Sequence, residues 1–180
     1  MSPFTKDAAG TIQVGVLSDT HGYLPQSVIA TFESRNLDAI VHAGDVCSEQ
    51  IIGQLKLIAP LVIVRGNCDW LPALQNLTSV KKQQMGNALL VITHKPENLT
   101  AELRRLKRDK LSTPYIVGVH GHTHLPRFEQ LDDAVWVLCP GSPVEPRGES
   151  GPSIAVLTLS PDSSSQVNPQ VEPKVEFLPI

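Results

Sequence analysis

The fold is decided first by residues 11–22, which read TIQVGVLSDTHG. The run from Thr11 to Leu17 is mostly apolar and has the length of a strand, and it stops at polar residues. The same order recurs at residues 38–45 and 61–69. Helices are predicted between these runs, after Pro25 and after Ser48. This alternation of strand, polar loop and helix predicts a parallel sheet with helices on its faces.

The second half of the chain has a different pattern. The turn signal Met85-Gly86-Asn87 separates two strand-like runs and predicts a hairpin over residues 79–93. Leucines at helical spacing, Leu99, Leu103 and Leu106, predict a helix. Tyr115–Val119 is a further buried strand. We predict antiparallel strands in the later apolar runs, which are Arg127–Gln130, Ala134–Leu138 and Ile154–Leu159.

These segments together predict an α/β fold of four layers, an α/β/β/α sandwich in which two mixed β-sheets pack face to face between helices. We expect one domain over residues 1–180 with its core in residues 11–160. Residues 161–170 are rich in Ser and Pro and predict a mobile surface loop. Val175–Leu178 predicts an edge strand.

Composition excludes several classes of function. Hydrophobic residues make up 41% of the 180 residues, and the formal net charge is -3, which disfavours a nucleic-acid-binding protein. No apolar run approaches the roughly 20 residues that cross a bilayer, and Met1–Gly10 has no secretory signal pattern. Three irregularly spaced cysteines indicate a reducing compartment rather than a disulfide framework. We therefore expect a cytoplasmic protein without membrane contact.

Polar side chains of three types follow the predicted strands where each apolar run meets a loop. Taken singly, such an Asp is more often a turn residue, and a lone His is more often structural. Carboxylate, imidazole and amide groups together form the mixed ligand set of a transition metal, and the ends of parallel strands meet at one sheet edge. Alternation along an extended backbone would place Asp19 beside His21, and His122 beside His124. The candidate metal ligands are Asp19, His21, Asp45, Asn67, His94, His122 and His124.

The chain resembles the calcineurin-like metallophosphoesterase superfamily, and most closely its small bacterial and archaeal phosphodiesterase branch. The resemblance covers the chain from about Val14 to Ser142. Its segments occur in the family's order and are Ser18-Asp19-Thr20-His21, Ala43-Gly44-Asp45, Gly66-Asn67-Cys68-Asp69, His94, Gly121-His122-Thr123-His124 and Pro140-Gly141-Ser142.

The resemblance implies a hydrolase with two divalent metal ions. One ion would be held by Asp19, His21 and His124, the other by Asn67, His94 and His122, and Asp45 would bridge them. A hydroxide between two such ions, about 3.5–4 Å apart, would attack a phosphate ester without a protein nucleophile. Mn is the first expectation, and Ni, Fe, Co or Zn suit the same donors. The expected substrate is a small phosphoester, most simply a diester, and relatives commonly form homodimers or homotetramers.

Catalytic roles are predicted for Asn67, Cys68, Asp69 and His94. Cys68 stands where many superfamily members have a histidine that protonates the leaving group, and a thiol is a poor proton donor at neutral pH. Asp69 would orient a ligand histidine. Lys95 is either a solvated loop residue or a phosphate contact, and Arg65 and Arg127 are weaker candidates for such a contact.

The remaining polar residues of the strand ends have structural interpretations. His42 and His120 are predicted to be buried and structural. Cys47, Cys68 and Cys139 are predicted near the site, where they either pack or undergo oxidation. The basic stretch Arg104–Lys110 is expected to be the solvated face of a helix.

Two functions compete with the phosphodiesterase: a non-catalytic binding scaffold of the same fold, as in the retromer subunit, and a protein serine/threonine phosphatase.

Overall fold

The structure is a computed structural model that describes residues 11–109, 115–160 and 172–180. Within these ranges the chain forms ten strands and four helices. In chain order they are β1 (Ile12–Leu17), α1 (Gln26–Glu33), β2 (Ala39–His42), α2 (Glu49–Ile58), β3 (Leu61–Ile63), α3 (Pro72–Gln75), β4 (Val80–Met85), β5 (Ala88–Thr93), α4 (Pro96–Arg108), β6 (Tyr115–Val119), β7 (Arg127–Asp132), β8 (Val135–Cys139), β9 (Ser153–Leu159) and β10 (Lys174–Pro179).

The strands form two mixed sheets of five strands each. The first has the order β10-β9-β1-β2-β3, and the second has the order β4-β5-β6-β8-β7. In the first sheet β1, β2 and β3 are parallel, while β9 and β10 run antiparallel. In the second sheet β5, β6 and β8 are parallel, while β4 and β7 run antiparallel. Each sheet thus has three parallel strands, whose carboxyl ends can carry a site.

Side-chain alternation explains how the layers pack. In β1 and β2, Val14, Val16 and Val41 point into the core between the sheets, whereas Leu17 and Ile40 point toward α1 and α2. In the second sheet, one set of side chains likewise points into the core between the sheets and the other set points toward α4. Fully burying one such side chain contributes about 1.5–3 kcal/mol. Period-two apolar strands buried on both faces therefore produce the predicted four-layer sandwich.

The predicted elements agree with the structure except for one strand pairing in the second sheet and one short helix. Ala134–Leu138 was expected to be an antiparallel strand, which holds for its pairing with β7, but β8 also pairs in parallel with β6. The chain places β7 at the edge and inserts β8 between β7 and β6. The short helix α3 was not predicted. Val175–Leu178 lies in β10, which pairs at the edge with β9, as expected.

Some predictions fall outside the described residues. They concern Met1–Gly10, residues 161–170 and Lys110, the last residue of the basic stretch. Arg104, Arg105, Lys107 and Arg108 lie on α4 and are exposed, as predicted. In the described part of the chain, no helix combines the length and apolar character that crossing a bilayer requires.

Candidate metal centre

The loops after β1 and β2 extend the parallel pairing of these strands past their ends. The backbone N–H of Asp19 donates to the carbonyl of Gly44 at 3.0 Å, and that of His21 donates to the carbonyl of Asp45 at 3.0 Å. These residues nevertheless leave the extended conformation. The φ angles of Asp19, His21 and Asp45 are 56°, 45° and 55°, and those of His122 and His124 are 67° and 58°.

The expected cause of their convergence is therefore wrong. Asp19 with His21, and His122 with His124, do not meet by alternation along an extended strand. Each of these residues is in the left-handed region, which Asp and His adopt more readily than most residues. The turns redirect the side chains toward one another at the sheet edge.

The first cluster is formed by Asp19, His21 and His124. The Nε2 atom of His124 lies 3.2 Å from Oδ1 of Asp19 and 3.4 Å from Nε2 of His21. The candidate ligand atoms of the three residues all lie within 4.8 Å of one another. Asp19 also accepts hydrogen bonds from the backbone N–H of His122, at 3.0 and 3.2 Å. Two imidazoles and a carboxylate from distant parts of the chain thus face a common point.

The second cluster surrounds Asp45 and His94. The Nε2 atom of His94 lies 3.3 Å from Oδ2 of Asp45 and 3.0 Å from Oδ1 of Asn67. The ring of His122 meets that of His94 edge to face, with centroids 5.1 Å apart. Candidate ligand atoms of Asp19, Asp45 and His94 lie within 4.8 Å of one another, so the two clusters adjoin through the carboxylates. The structure therefore brings all seven predicted ligand residues together.

Backbone carbonyls orient the buried histidines. The Nδ1 atom of His94 lies 2.9 Å from the carbonyl oxygen of Ala43, and Nδ1 of His124 contacts the carbonyl oxygen of Glu145. Since Nδ1–H donates to a carbonyl in each case, Nε2 carries the lone pair and faces the cluster. This is the arrangement that a metal-binding imidazole requires.

Asp69 has a different role from the one predicted. It was expected to orient a ligand histidine, but its carboxylate accepts hydrogen bonds from the backbone N–H groups of Gly66, Asp45 and Cys47 at 2.7, 3.1 and 2.8 Å. The side chain is almost fully buried. Asp69 therefore joins the loop after β2 to the loop after β3, and it acts on the position of Asp45 through the backbone.

Gly66 is required by the close approach of these two loops. A Cβ atom at this position would lie 2.0 Å from Oδ1 of Asp45 and 2.2 Å from its backbone nitrogen. Real Cβ contacts are never so short. The Asp45 carboxylate therefore occupies its place only because residue 66 has no side chain.

Local electrostatics keep both carboxylates ionised. Burial alone would raise the pKa of Asp19, but hydrogen bonds with His124 and Ser18 outweigh it, and the pKa lies below its ordinary value. Burial is likewise outweighed at Asp45, where hydrogen bonds with His94 and the Cys68 backbone lower the pKa to about 2. The clusters thus present anionic oxygen donors at neutral pH, as divalent cations require.

The surroundings shift the pKa values of the histidines of the centre in opposite directions. At His94, burial would lower the pKa, but the hydrogen bond and the charge of Asp45 raise it above the ordinary value. The hydrogen bond with Asp19 raises the pKa of His124. Burial, together with the nearby charge of His94, lowers the pKa of His122. Protons on His94 and His124 therefore compete with any cation for the same Nε2 atoms.

The cysteines lie near the centre, as predicted. Cys68 is partly buried, and its sulfur, Asp45 and His21 also have candidate ligand atoms within 4.8 Å of one another. Cys47 donates to the carbonyl of Cys68 at 3.2 Å, and burial raises the pKa of its thiol to about 12. Cys139 is buried, and its sulfur lies 3.3 Å from Oγ1 of Thr123. The Cys47 thiol remains protonated and is not an activated nucleophile.

The three cationic candidates for a phosphate contact, Lys95, Arg65 and Arg127, have different surroundings. Lys95 lies on the wall of a cavity of about 300 Å³ that Asn67 and His94 also line. Arg65 lines the same cavity, and its guanidinium donates to the carbonyl of Gln75 at 3.1 Å. Arg127 is exposed and lies 3.5 Å from Glu129, and its backbone pairs with Cys139.

His42 and His120 are buried, as predicted, and neither belongs to the two clusters. The Nε2 atom of His42 lies 3.0 Å from Oγ1 of Thr20, and Nδ1 of His120 lies 2.9 Å from the carbonyl of Gly121. The other ring nitrogen of each has no hydrogen-bond partner among the described residues. The His42 ring thus contacts a side chain of the loop after β1, and the His120 ring contacts the backbone of the loop after β6.

Two supporting residues were missed in the sequence. Glu145 provides the carbonyl for His124, and its carboxylate lies 3.8 Å from Nε2 of His21. The hydroxyl of Ser142 donates to the carbonyl of Asp19 at 2.8 Å and accepts from the backbone N–H of Glu145 at 2.9 Å. The segment Pro140-Gly141-Ser142 was part of the family pattern, and its location in that pattern was the signal that could have indicated this role.

Comparisons with known proteins agree with this geometry. Residues 12–162 match the family model of the calcineurin-like phosphoesterase superfamily domain. A probable metallophosphoesterase of Methanocaldococcus jannaschii is 35% identical over 147 residues, which cover 77% of this chain and 71% of that protein. A phosphodiesterase of the same organism is 29% identical over 144 residues, covering 72% of this chain and 83% of that protein.

Solved structures show the same fold. A conserved protein of Streptococcus pneumoniae, described as a predicted phosphoesterase, superposes with a TM-score of 0.69 at 21% identity, covering 94% of this chain and 90% of that one. Vacuolar protein sorting 29 from Cryptosporidium parvum superposes with a TM-score of 0.69 at 19% identity, covering 94% of this chain and 99% of that one. At these identities the likeness concerns the fold alone.

Proposed function

The chain belongs to the calcineurin-like phosphoesterase superfamily, and on that premise we propose that it is a phosphodiesterase that depends on two divalent metal ions. The observation that carries the proposal is the meeting of two adjoining donor clusters at one sheet edge. Asp19 groups with His21 and His124, and it groups with Asp45 and His94. Asp45 also groups with His21 and Cys68, so its carboxylate has neighbours in both clusters. Two adjoining groups of donors suit a site for two cations better than a site for a single cation.

In this proposal Asp19, His21 and His124 hold one ion. Asn67, His94 and His122 hold the other, and Asp45 lies between them. The contacts support this division, because Nε2 of His124 faces Asp19 and His21, whereas Nε2 of His94 faces Asp45 and Asn67. A carboxylate suits the shared position, since its two oxygens can serve two cations.

The donor set fits a first-row transition metal. Imidazole nitrogens with carboxylate and amide oxygens favour Mn, with Fe, Co, Ni and Zn as alternatives. Bound ions would supply a water of lowered pKa at neutral pH and would offset the negative charge of the phosphoryl oxygens. The protein's contribution is to keep Asp19 and Asp45 ionised and to direct the Nε2 atoms toward the ions.

Cys68 favours an ester with a weakly basic leaving group, and the name of one relative favours a diester. Cys68 occupies the position from which a histidine would protonate the leaving oxygen, and burial together with the Asp45 charge raises the pKa of this thiol. A thiol of raised pKa is a weak acid, so the chain provides little help to a basic leaving group. The 29% identical relative is named a phosphodiesterase, which supports the same substrate class.

A binding scaffold of the same fold is the competing function, since vacuolar protein sorting 29 shares the fold. A scaffold does not require Asp19 and Asp45 to be desolvated beside four imidazoles. Burying such charged groups is costly unless they are paired or bind a cation. Their retention at the centre therefore favours the hydrolase.

The proposal is tested by counting bound metal and by measuring hydrolysis after reconstitution with Mn²⁺. The substrate panel consists of aryl diesters, monoesters and cyclic nucleotides. We expect two metal equivalents per chain, with turnover of the aryl diesters. Asp45→Asn should lose activity and the binding of at least one ion. The matched control is Asp133→Asn, which alters an exposed carboxylate in the turn between β7 and β8 and should retain both properties.

A folded wild-type protein that binds no divalent metal would refute the proposal. Metal binding without hydrolysis of any panel member would leave the scaffold as the better interpretation. Retention of full activity in Asp45→Asn would show that the metal centre is not where these residues lie.

A further inference from the structure

Two cavities share residues 65–67, in the loop after β3, as part of their lining. One has a volume of about 330 Å³ and is lined by Arg65, Gly66, Asn67, Asp69, Trp70 and Gln75. The other, of about 300 Å³, shares the first three of these residues and continues to His94 and Lys95. Both volumes are at the lower end of the roughly 300–1,000 Å³ of small-ligand sites. The proposed metal ligand Asn67 thus lines both of these small cavities.

Trp70 forms the distinctive wall of the first cavity. Its side chain is 75% exposed, although Trp136, the other tryptophan, is 7% exposed. Burial therefore does not account for a large aromatic side chain three residues from a proposed metal ligand. An exposed indole face is instead available for stacking on a planar ring.

Local hydrogen bonds hold the backbone of Trp70 in place. The side-chain amide of Gln75 donates to the carbonyl of Trp70 at 2.8 Å, and Arg65 donates to the carbonyl of Gln75 at 3.1 Å. The backbone N–H of Trp70 donates to the carbonyl of Cys68 at 3.0 Å. The backbone of Trp70 is thereby fixed relative to Asn67 and Cys68. The loop therefore loses little backbone entropy when a ring stacks on Trp70.

The second cavity carries positive charge. Lys95 is half-buried on its wall, and no described carboxylate lies within 4.0 Å of its ammonium group. Arg65 contributes a second cation, while Glu97 offsets one of the two. The cavity that continues to His94 therefore suits an oxygen-rich or anionic group.

From this geometry we infer that the substrate is a nucleoside phosphodiester whose base stacks on Trp70 while its other ester arm enters the cavity beside Lys95. The inference rests on the proposed function, because a diester held at Asn67 has two arms and the chain has two cavities there. A nucleobase combines a planar face with polar edges. It fits a wall that combines Trp70 with the polar groups of Arg65 and Gln75 better than an alkyl chain does.

The first test compares two diesters with the same leaving group, the p-nitrophenyl esters of thymidine monophosphate and of ethyl phosphate. Alanine substitution of a stacking aromatic weakens binding by about 5- to 150-fold per base. We expect Trp70→Ala to raise KM for the thymidine ester by a factor in that range. KM for the ethyl ester and kcat for both should change little. Trp70→Phe should retain most of the affinity, and Leu71→Ala, which changes an exposed neighbour, should behave like the wild type.

Equal increases in KM for both esters would overturn the inference, because the shared nitrophenyl group would then be the stacked ring. A fall in kcat for both esters with unchanged KM would also overturn it. Either result leaves the phosphodiesterase itself standing, since the wild type would still hydrolyse both compounds.

The second test does not depend on turnover. Thymidine monophosphate titrated into the metal-loaded protein should quench the emission of the exposed tryptophan, and Trp70→Phe should abolish the quenching. Quenching in a protein without hydrolytic activity would mean that the base site exists and the proposed function is wrong. Active enzyme without quenching would mean that the base site is wrong and the proposed function holds.

Discussion

Lowering the pH should destabilise this protein through His42, the fully buried histidine that supports the loop after β1. Its Nε2 atom lies 3.0 Å from Oγ1 of Thr20, the residue between Asp19 and His21. Burial holds the pKa of His42 at about 4, against an ordinary value of 6.5. The carboxylates of Asp69, Asp19 and Asp45 act in the opposite direction, and burial outweighs them.

The sign and size of the effect follow from proton linkage. Below pH 6.5 the unfolded chain binds a proton at His42 that the folded protein does not bind until the pH approaches 4. The free energy of unfolding therefore decreases as the pH is lowered through this window. Each unit of pKa difference corresponds to about 1.4 kcal/mol, so the full loss is roughly 3 kcal/mol, most of it reached by about pH 4.5. Above pH 6.5 His42 has almost no effect.

The assay is urea unfolding of the protein in EDTA at several values of pH between 4.5 and 7.5, for the wild type and for His42→Gln. Burial also lowers the pKa values of His120 and His122, so the wild-type curve contains their contributions as well. The difference between the two curves isolates His42. We expect the variant to lose roughly 2–3 kcal/mol less than the wild type over this range.

The matched control is Thr20→Val, which removes the hydrogen-bonding partner and keeps the buried imidazole. It should be less stable at every pH and should retain the wild-type slope. Parallel curves for His42→Gln and the wild type would refute the argument, because they would mean that His42 takes up its proton equally well in the folded protein.

Three further predictions concern the centre itself. Gly66→Ala should weaken metal binding at least tenfold by calorimetry, because its Cβ would displace the Asp45 carboxylate. Gly53→Ala, whose Cβ meets no atom within 4 Å on helix α2, should bind metal normally and be more stable by roughly 0.5–1 kcal/mol. Asp69→Asn should lower the free energy of unfolding by about 1–3 kcal/mol in urea, since three backbone N–H groups lose a charged acceptor. The enzyme should hydrolyse a nitrophenyl diester much faster than an alkyl diester, because Cys68 is a weak proton donor; equal rates would contradict this assignment.

Most of the fold could be predicted because its strands are short apolar runs separated by strong turn signals. The parallel pairing of β8 with β6 could not be predicted in the same way. The run Val135–Cys139 has an apolar pattern that is compatible with either direction of pairing. Its direction relative to β6 depends on where β7 is placed, and the chain places β7 at the sheet edge. The position of β7 is determined by the packing of the whole sheet, and no local sequence pattern predicts it.

The meeting of the seven candidate ligand residues at one sheet edge could be predicted, because Asp, Asn and His follow five strands at their carboxyl ends. What the sequence did not reveal is how the loops are held. Asp69 acts through the backbone N–H groups of neighbouring loops, and Ser142 acts through the carbonyl of Asp19. Such contacts depend on the separation of loops that are distant in sequence. The wall formed by Trp70 was missed for the same reason, since nothing in the sequence distinguishes it from a loop residue.

The backbone of the ligand loops bears on the choice between enzyme and scaffold. Among the described residues six non-glycine residues have positive φ, namely Asp19, His21, Asp45, Cys47, His122 and His124. All but Cys47 are proposed metal ligands. Residues held in this region cost on the order of 1–3 kcal/mol each, and they persist only where the surrounding structure imposes them. A protein that used this face only for packing could relieve the cost with glycine or with an extended loop. Retaining Asp and His at these positions is instead explained by the convergence of their side chains on a common point, which a bound cation requires and a passive surface does not.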